Sequence, residues 1–100
     1  MISKFLEKRI EIIPQEIKDG LGNPMELEYY LVECNSEFNE AEKGFGVEII
    51  MKNKGIVSES IMVSDIFTTR EHSEDLIRKL FENSVTPVSL PYILDDMIGV

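Results

Sequence analysis

Apolar residues in this chain recur first with a period of two and then with a helical period, the change falling near residue 65. Over 26–34, Leu27, Tyr29 and Leu31 share one face while Glu26, Glu28, Tyr30 and Val32 share the other, which is the alternation of a strand. That second face begins charged and ends apolar, so cover is expected at one end only. Phe45, Val47, Ile49 and Met51 face one way in the next strand, where Gly46 predicts a bulge or a large neighbour lying over the backbone. Asn53-Lys54-Gly55 predicts a tight turn, after which 56–63 runs back. There Val57, Ile61 and Val63 share a face with Glu59, an imperfect alternation. Residues 3–17 read two ways. Phe5, Leu6, Ile10 and Ile13 fit a helix, whereas Ile10 and Ile12 alternating with Arg9 and Glu11 fit a strand. Pro14 excludes a long helix, and the β-branched isoleucines favour an edge strand bent at Pro14. The 18–24 stretch is dense in turn formers and predicts a hairpin loop, and the polar, acidic 35–44 stretch predicts a mobile connector.

Beyond residue 65 the period changes. Leu76, Ile77, Leu80 and Phe81 fall at i, i+1, i+4 and i+5, one stripe of an amphipathic helix over 69–83. Thr68 followed three residues later by Glu71 has the spacing of a capping box, and Glu71, Glu74 and Asp75 suit the positive end of the helix dipole. Burying the four apolar side chains is worth at most roughly 6–12 kcal/mol, so the helix is expected to pack on the sheet. Asn83 and Ser84 end it, and Pro87 forces Thr86 into an extended conformation. Ser89 can cap a second helix over 90–98, which tolerates Pro91 in its first turn and exits at Gly99. Asp95 and Asp96 lie near its C-terminal end, where the helix dipole disfavours acids. The expected fold is α+β: an antiparallel three- to four-stranded β-meander, one long C-terminal helix packed on one face, and a short final helix at an end. The chain reads as a single domain over 1–100, with the meander at 1–64 and the two-helix part at 65–100.

With 43% apolar and 29% charged residues, the 100-residue chain has the balance of a globular domain. A lone Cys34, no apolar stretch long enough for a membrane span, and no signal-peptide core favour a reducing cytoplasm. The net charge of −9 argues against phosphate-backbone binding and so against nucleic acid. The acidic excess concentrates in 21–43 and in the last thirty residues. It serves solubility, or it forms a face that docks on a basic partner.

Tyr29-Tyr30-Leu31-Val32-Glu33, Gly44-Phe45-Gly46-Val47-Glu48-Ile49-Ile50, Asp65-Ile66, and Val85-Thr86-Pro87-Val88-Ser89-Leu90 followed by Ile93-Leu94-Asp95-Asp96 resemble a family of short, uncharacterised proteins from clostridia and related Firmicutes. The match covers most of the chain from Glu26 onward, and the closing proline, leucine and paired-acid pattern is its most specific part. The resemblance implies a bacterial, cytoplasmic setting and carries no activity and no catalytic residues.

Candidate chemistry is sparse. His72 is the only histidine, in the first turns of the helix, where surface histidines are common. Cys34 closes an apolar strand and reads as an inert, partly buried thiol. Asp95 and Asp96 point about 100° apart on a helix, a poor chelate. There is no phosphate-binding loop, no nucleophile motif and no basic, aromatic-interleaved patch, so no catalytic residue, metal or cofactor is expected. The expected function is a small, non-enzymatic protein-binding or regulatory module. Its candidate surface is Leu90, Tyr92, Asp95, Asp96 and Met97, where an aromatic, a flexible methionine and two acids stand together. Against this stands packing of Tyr92 and Met97 in the core, with the acids merely facing water. Two rivals remain: an acidic inhibitor or nucleic-acid mimic using Glu26, Glu28, Glu37, Glu40 and Glu42, and a small enzyme using Asp65, His72 or the paired aspartates. A half-covered sheet with a free edge also leaves a homodimer open.

Overall fold

The structure, a computed structural model, describes residues 2–12, 25–35 and 43–98; Pro14, the 18–24 loop, most of the 35–44 connector and Gly99 lie outside the described residues. Strands β1 (Ser3–Ile12), β2 (Met25–Asn35), β3 (Lys43–Asn53) and β4 (Ile56–Phe67) form one antiparallel sheet in the order β1-β2-β3-β4. Helix α1 (Arg70–Glu82), a 3₁₀ turn (Pro87–Ser89) and helix α2 (Leu90–Ile98) follow. The α+β meander therefore has four strands. The helix expected to be long is 13 residues, an ordinary length, bounded by Thr69 and Asn83.

The two middle strands pair residue for residue from Met25–Asn53 to Asn35–Lys43, and the Lys54-Gly55 turn takes positive φ at both positions (53° and 79°), as a two-residue hairpin turn requires. The outer strands are irregular. In β1 the register slips between Leu6 and Lys8, making Glu7 the extra residue. Phe5 and Ile10 are five apart and would point to opposite faces of a regular strand. The bulge at Glu7 sets Phe5 opposite Leu31 and Ile10 opposite Leu27, both on the core side. This is why the sequence of β1 fits neither simple period. In β4, Met51 pairs with Glu59 but Lys52 pairs with Val57, so Ser58 is extra. Val57 consequently points away from Ile61 and Val63, correcting the expectation that the three share a face.

One face of the sheet carries the core. Leu27, Tyr29, Leu31, Phe45, Val47 and Ile49 pack against Leu76, Ile77 and Leu80 of α1 and against Val85 and Leu90. Two buried hydrogen bonds fix the helical layer: Tyr29 Oη donates to the Val85 carbonyl at 2.8 Å, and Ser73 Oγ donates to the Gly46 carbonyl at 2.6 Å. Burial pushes the Tyr29 phenol well above its ordinary pKa, so it remains a donor across the physiological range.

Helix α1 is capped by Thr69, not Thr68. The Thr69 hydroxyl accepts the His72 N–H at 3.4 Å and lies 2.9 Å from His72 Nδ1, so His72 occupies the place expected of Glu71. At the other end the Val85 N–H reaches back to the Leu80 carbonyl at 3.0 Å around Ser84, whose φ is +50°. That six-to-one closure normally uses glycine at the left-handed position. Ser84→Gly is therefore expected to stabilise the fold by about 0.5–1 kcal/mol, read as a higher urea midpoint with unchanged slope.

Candidate interaction surfaces

The chain between the helices is held by its apolar residues. Val85, Pro87 and Leu90 are buried, while Val88, Pro91 and Tyr92 turn outward. The Ser89 N–H donates to the Thr86 carbonyl at 3.1 Å and the two hydroxyls lie 3.2 Å apart. Ser89 thus ends the 3₁₀ turn that runs directly into α2, with its hydroxyl beside that of Thr86. Fixed φ at Pro87 and Pro91 makes this elbow stiff.

The sequence candidates separate here. Leu90 is fully buried and anchors α2 in the core, so it forms no part of a surface. Tyr92 is 72% exposed, which excludes its packing in the core. Asp95 and Asp96 are exposed, and the Met97 side chain lies outside the described residues. The signal for Leu90 was present in the sequence: Leu90, Ile93 and Leu94 fall at i, i+3 and i+4 and pack together on the core. Two shallow hollows flank the elbow. One, of about 310 Å³, runs between Glu59, Ser60 and Ile61 of β4 and Pro87, Val88 and Pro91. The other, of about 400 Å³, is lined by Lys79, Leu80, Asn83, Val85 and Ile93.

Sequence reasoning missed a second surface, the face of the sheet turned away from the helices. Every described helical residue in the core packs on the opposite face. On this open face a carboxylate that alternation alone assigns to solvent, Glu28, is 1% exposed. Arg9 Nη2 lies 2.8 Å from Glu28 Oε2, Lys52 Nζ lies 3.1 Å from Oε1, and Tyr30 Oη donates to Oε1 at 2.9 Å. Burial pushes the Glu28 pKa up, but hydrogen bonds from Lys52, Tyr30 and Arg9 outweigh it and hold the carboxyl below its ordinary value. The Tyr30 phenol is pushed up by burial and then by the Glu28 charge. Beside them Lys4 Nζ pairs with Glu48 Oε1 at 3.1 Å. Three strands contribute to the Glu28 cluster, and β1 and β3 each place a cation beside β2 (Arg9 and Lys52). Only the register reveals that arrangement.

The remaining candidates are dispersed. Cys34 is 9% exposed with its thiol 3.6 Å from the Gly44 carbonyl, matching the expected buried thiol. His72 serves the α1 cap, and its ring lies 5.9 Å from that of Phe67. Among the described residues, no three histidine, cysteine, aspartate or glutamate side chains gather as a metal site. No helix among them is long and apolar enough to cross a membrane.

A four-stranded meander backed on one side by a helix and a proline elbow, with no described helix on the other, defines a small α+β protein. Residues 8–100 match a family of unknown function, DUF6514, and the chain belongs to that family. No curated protein matches the chain, and no solved structure does. The residues that carried the family resemblance contact one another in the fold. Tyr29 donates to the Val85 carbonyl. The irregular end of β4 lies over two glycines: a Cβ on Gly46 would be driven into the Val63 carbonyl and lie 2.8 Å from Ser64 Cα, and one on Gly44 would strike the Asp65 carboxylate. Asp65 itself has φ +57°, a conformation that aspartate tolerates better than most residues. The expected neighbour over Gly46 is thus the β4 backbone.

Proposed function

We propose that this protein is a non-enzymatic interaction module of the bacterial cytoplasm that takes up an extended, cationic segment of a partner protein along β4 and the elbow. The observation that carries this reading is the hollow between Ile61 and the Pro87-Val88-Pro91 elbow, which opens beside an edge strand. A strand added to β4 would gain main-chain hydrogen bonds, and every second side chain would point towards that hollow. Val88, 63% exposed, lines the hollow, and Tyr92, 72% exposed, follows Pro91 on α2. Glu59 lines the hollow, and Asp95 and Asp96 lie exposed on the helix that follows. Together with the net charge of −9, they favour a basic partner.

Among the described residues no three histidine, cysteine, aspartate or glutamate side chains gather as a metal site, which lends a metal-dependent enzyme no support beside this reading. An acidic mimic retains less support, since Glu28 is committed to Arg9 and Lys52; Glu37, Glu40 and Glu42 lie outside the described residues and bear on neither reading. The test is capture from a bacterial lysate, with the bound segment of the partner mapped by cross-linking. Cross-links to β4 and the elbow are expected, with binding weakened at least about tenfold by Tyr92→Ala combined with Asp95→Lys and Asp96→Lys. A partner that ignores this triple substitution, or turnover that depends on His72 or Asp65, would overturn the proposal.

A further inference from the structure

The two outer strands of the sheet are not attached alike. None of the ten residues of β1 is buried, against six of eleven in each of β2 and β3. β4 has no buried residue either, but Ile61, Val63, Ile66 and Phe67 all pack on the core, and the strand runs through Thr68 and Thr69 into α1. β1 gives the core only Ile10 and Ile12, both near one end of the strand. It pairs with β2 alone, and its ladder is broken at the Glu7 bulge. Apolar burial therefore contributes little to holding β1 in place.

Charge holds it instead. On the face away from the helices, Arg9 lies 2.8 Å from Glu28 and Lys4 lies 3.1 Å from Glu48, half-exposed cations on buried carboxylates. On the helix side, Lys8 Nζ lies 5.5 Å from the centre of the Phe81 ring, and the Arg70 guanidinium lies 5.3 Å from that of Phe5, both within the reach of cation–π attraction. Arg70 also stands 4.0 Å from the Glu7 carboxylate, but it pairs more closely with Glu74 at 2.9 Å. β1 brings three cations and two carboxylates to β2, which has three carboxylates and no cation. Contacts of this kind, with one partner in water, are individually weak. When β1 lifts away its cations return to water, and Glu28 keeps Lys52 and Tyr30 as partners. The strand can therefore leave without stranding a buried charge in the sheet behind it.

We infer that β1 is a releasable strap: it detaches from β2 as a unit while β2, β3, β4 and α1 stay folded, and the ion pairs of Lys4 and Arg9 set how often it opens. Release bares the main-chain edge of β2 and the Glu28 carboxylate beside it. The elbow lies at the opposite edge of the sheet, so this inference and the capture of a partner along β4 fail separately.

Native-state amide hydrogen exchange, followed by NMR at low urea concentrations, tests this on the unmodified chain. Amides bonded between β1 and β2 are expected to exchange through an opening at least about a hundredfold more populated than the one that exposes the β2–β3 ladder, and with little dependence on urea. Equal protection of the two sets, both with the full urea dependence of unfolding, would overturn the inference. Lys4→Gln combined with Arg9→Gln then tests what holds the strap closed. The double substitution should raise the population of the β1 opening about tenfold, with the β2–β3 amides remaining the more protected set. A change of less than about twofold would refute the ionic hold, since half-exposed pairs that contribute nothing measurable behave in that way.

Discussion

Gly46→Ala should destabilise this protein by about 3 kcal/mol or more, the largest effect expected of any single methyl group in the chain. The added Cβ would project towards the Val63 carbonyl oxygen, with Ser64 Cα at 2.8 Å and the Val63 carbonyl carbon at 2.9 Å. These are backbone atoms, so no side-chain rotation relieves the contact. Either β4 moves off β3 or Gly46 moves off the helix, and Gly46 also accepts the buried hydrogen bond from Ser73 at 2.6 Å. Against a typical net stability of about 5–15 kcal/mol, the melting temperature should fall by roughly 12–24 °C. Gly55→Ala is the informative control. Gly55 has φ +79° but nothing within 4 Å of its missing Cβ, so its substitution should cost only about 1 kcal/mol, the price of a left-handed alanine. Thermal melts in which Gly55→Ala is the more damaging change would refute the account of β4 lying against the Gly46 backbone.

Gly46 also shows where the sequence is legible. A glycine between Phe45 and Val47, inside an apolar alternation, announces that something lies close to the backbone. It does not announce what. The neighbour belongs to a stretch of β4 in which four residues, Ser64 to Phe67, follow Val63 while β3 advances only from Val47 to Phe45, and single-strand periodicity carries no information about such a mismatch. The same reason explains the rest of the sheet. The uninterrupted strands β2 and β3 can be read from alternation, whereas Glu7 in β1 and Ser58 in β4 each insert one residue and reverse the faces beyond them. The candidate surface divides along similar lines. Tyr92, Asp95 and Asp96 are exposed as a working surface requires, but Leu90 is core because it shares a helical stripe with Ile93 and Leu94. Glu28 was hidden most completely. Alternation places it correctly on the second face, but its partners Arg9 and Lys52 come from different strands, and only the pairing register brings them beside it.

That buried carboxylate supplies the second large effect. Glu28→Gln is expected to cost about 2 kcal/mol at pH 7, because the variant keeps the shape and one acceptor but loses the charge that binds Arg9 and Lys52. The cost stays below the loss of a fully buried ion pair because the Arg9 side chain is 55% exposed and can return to water. The pH dependence identifies the source. The carboxyl is held below its ordinary pKa in the folded state, so its contribution is fully present above the unfolded value near about 4.3. It is lost as pH falls through the folded value, since the unfolded chain then binds the proton more readily than the native one. Urea unfolding of both proteins should therefore show the gap at pH 7 closing as the solution is made acidic, with the wild type losing stability faster than the variant. A gap that stayed constant down to about pH 3 would assign the loss to packing or to the Tyr30 hydrogen bond instead of the charge.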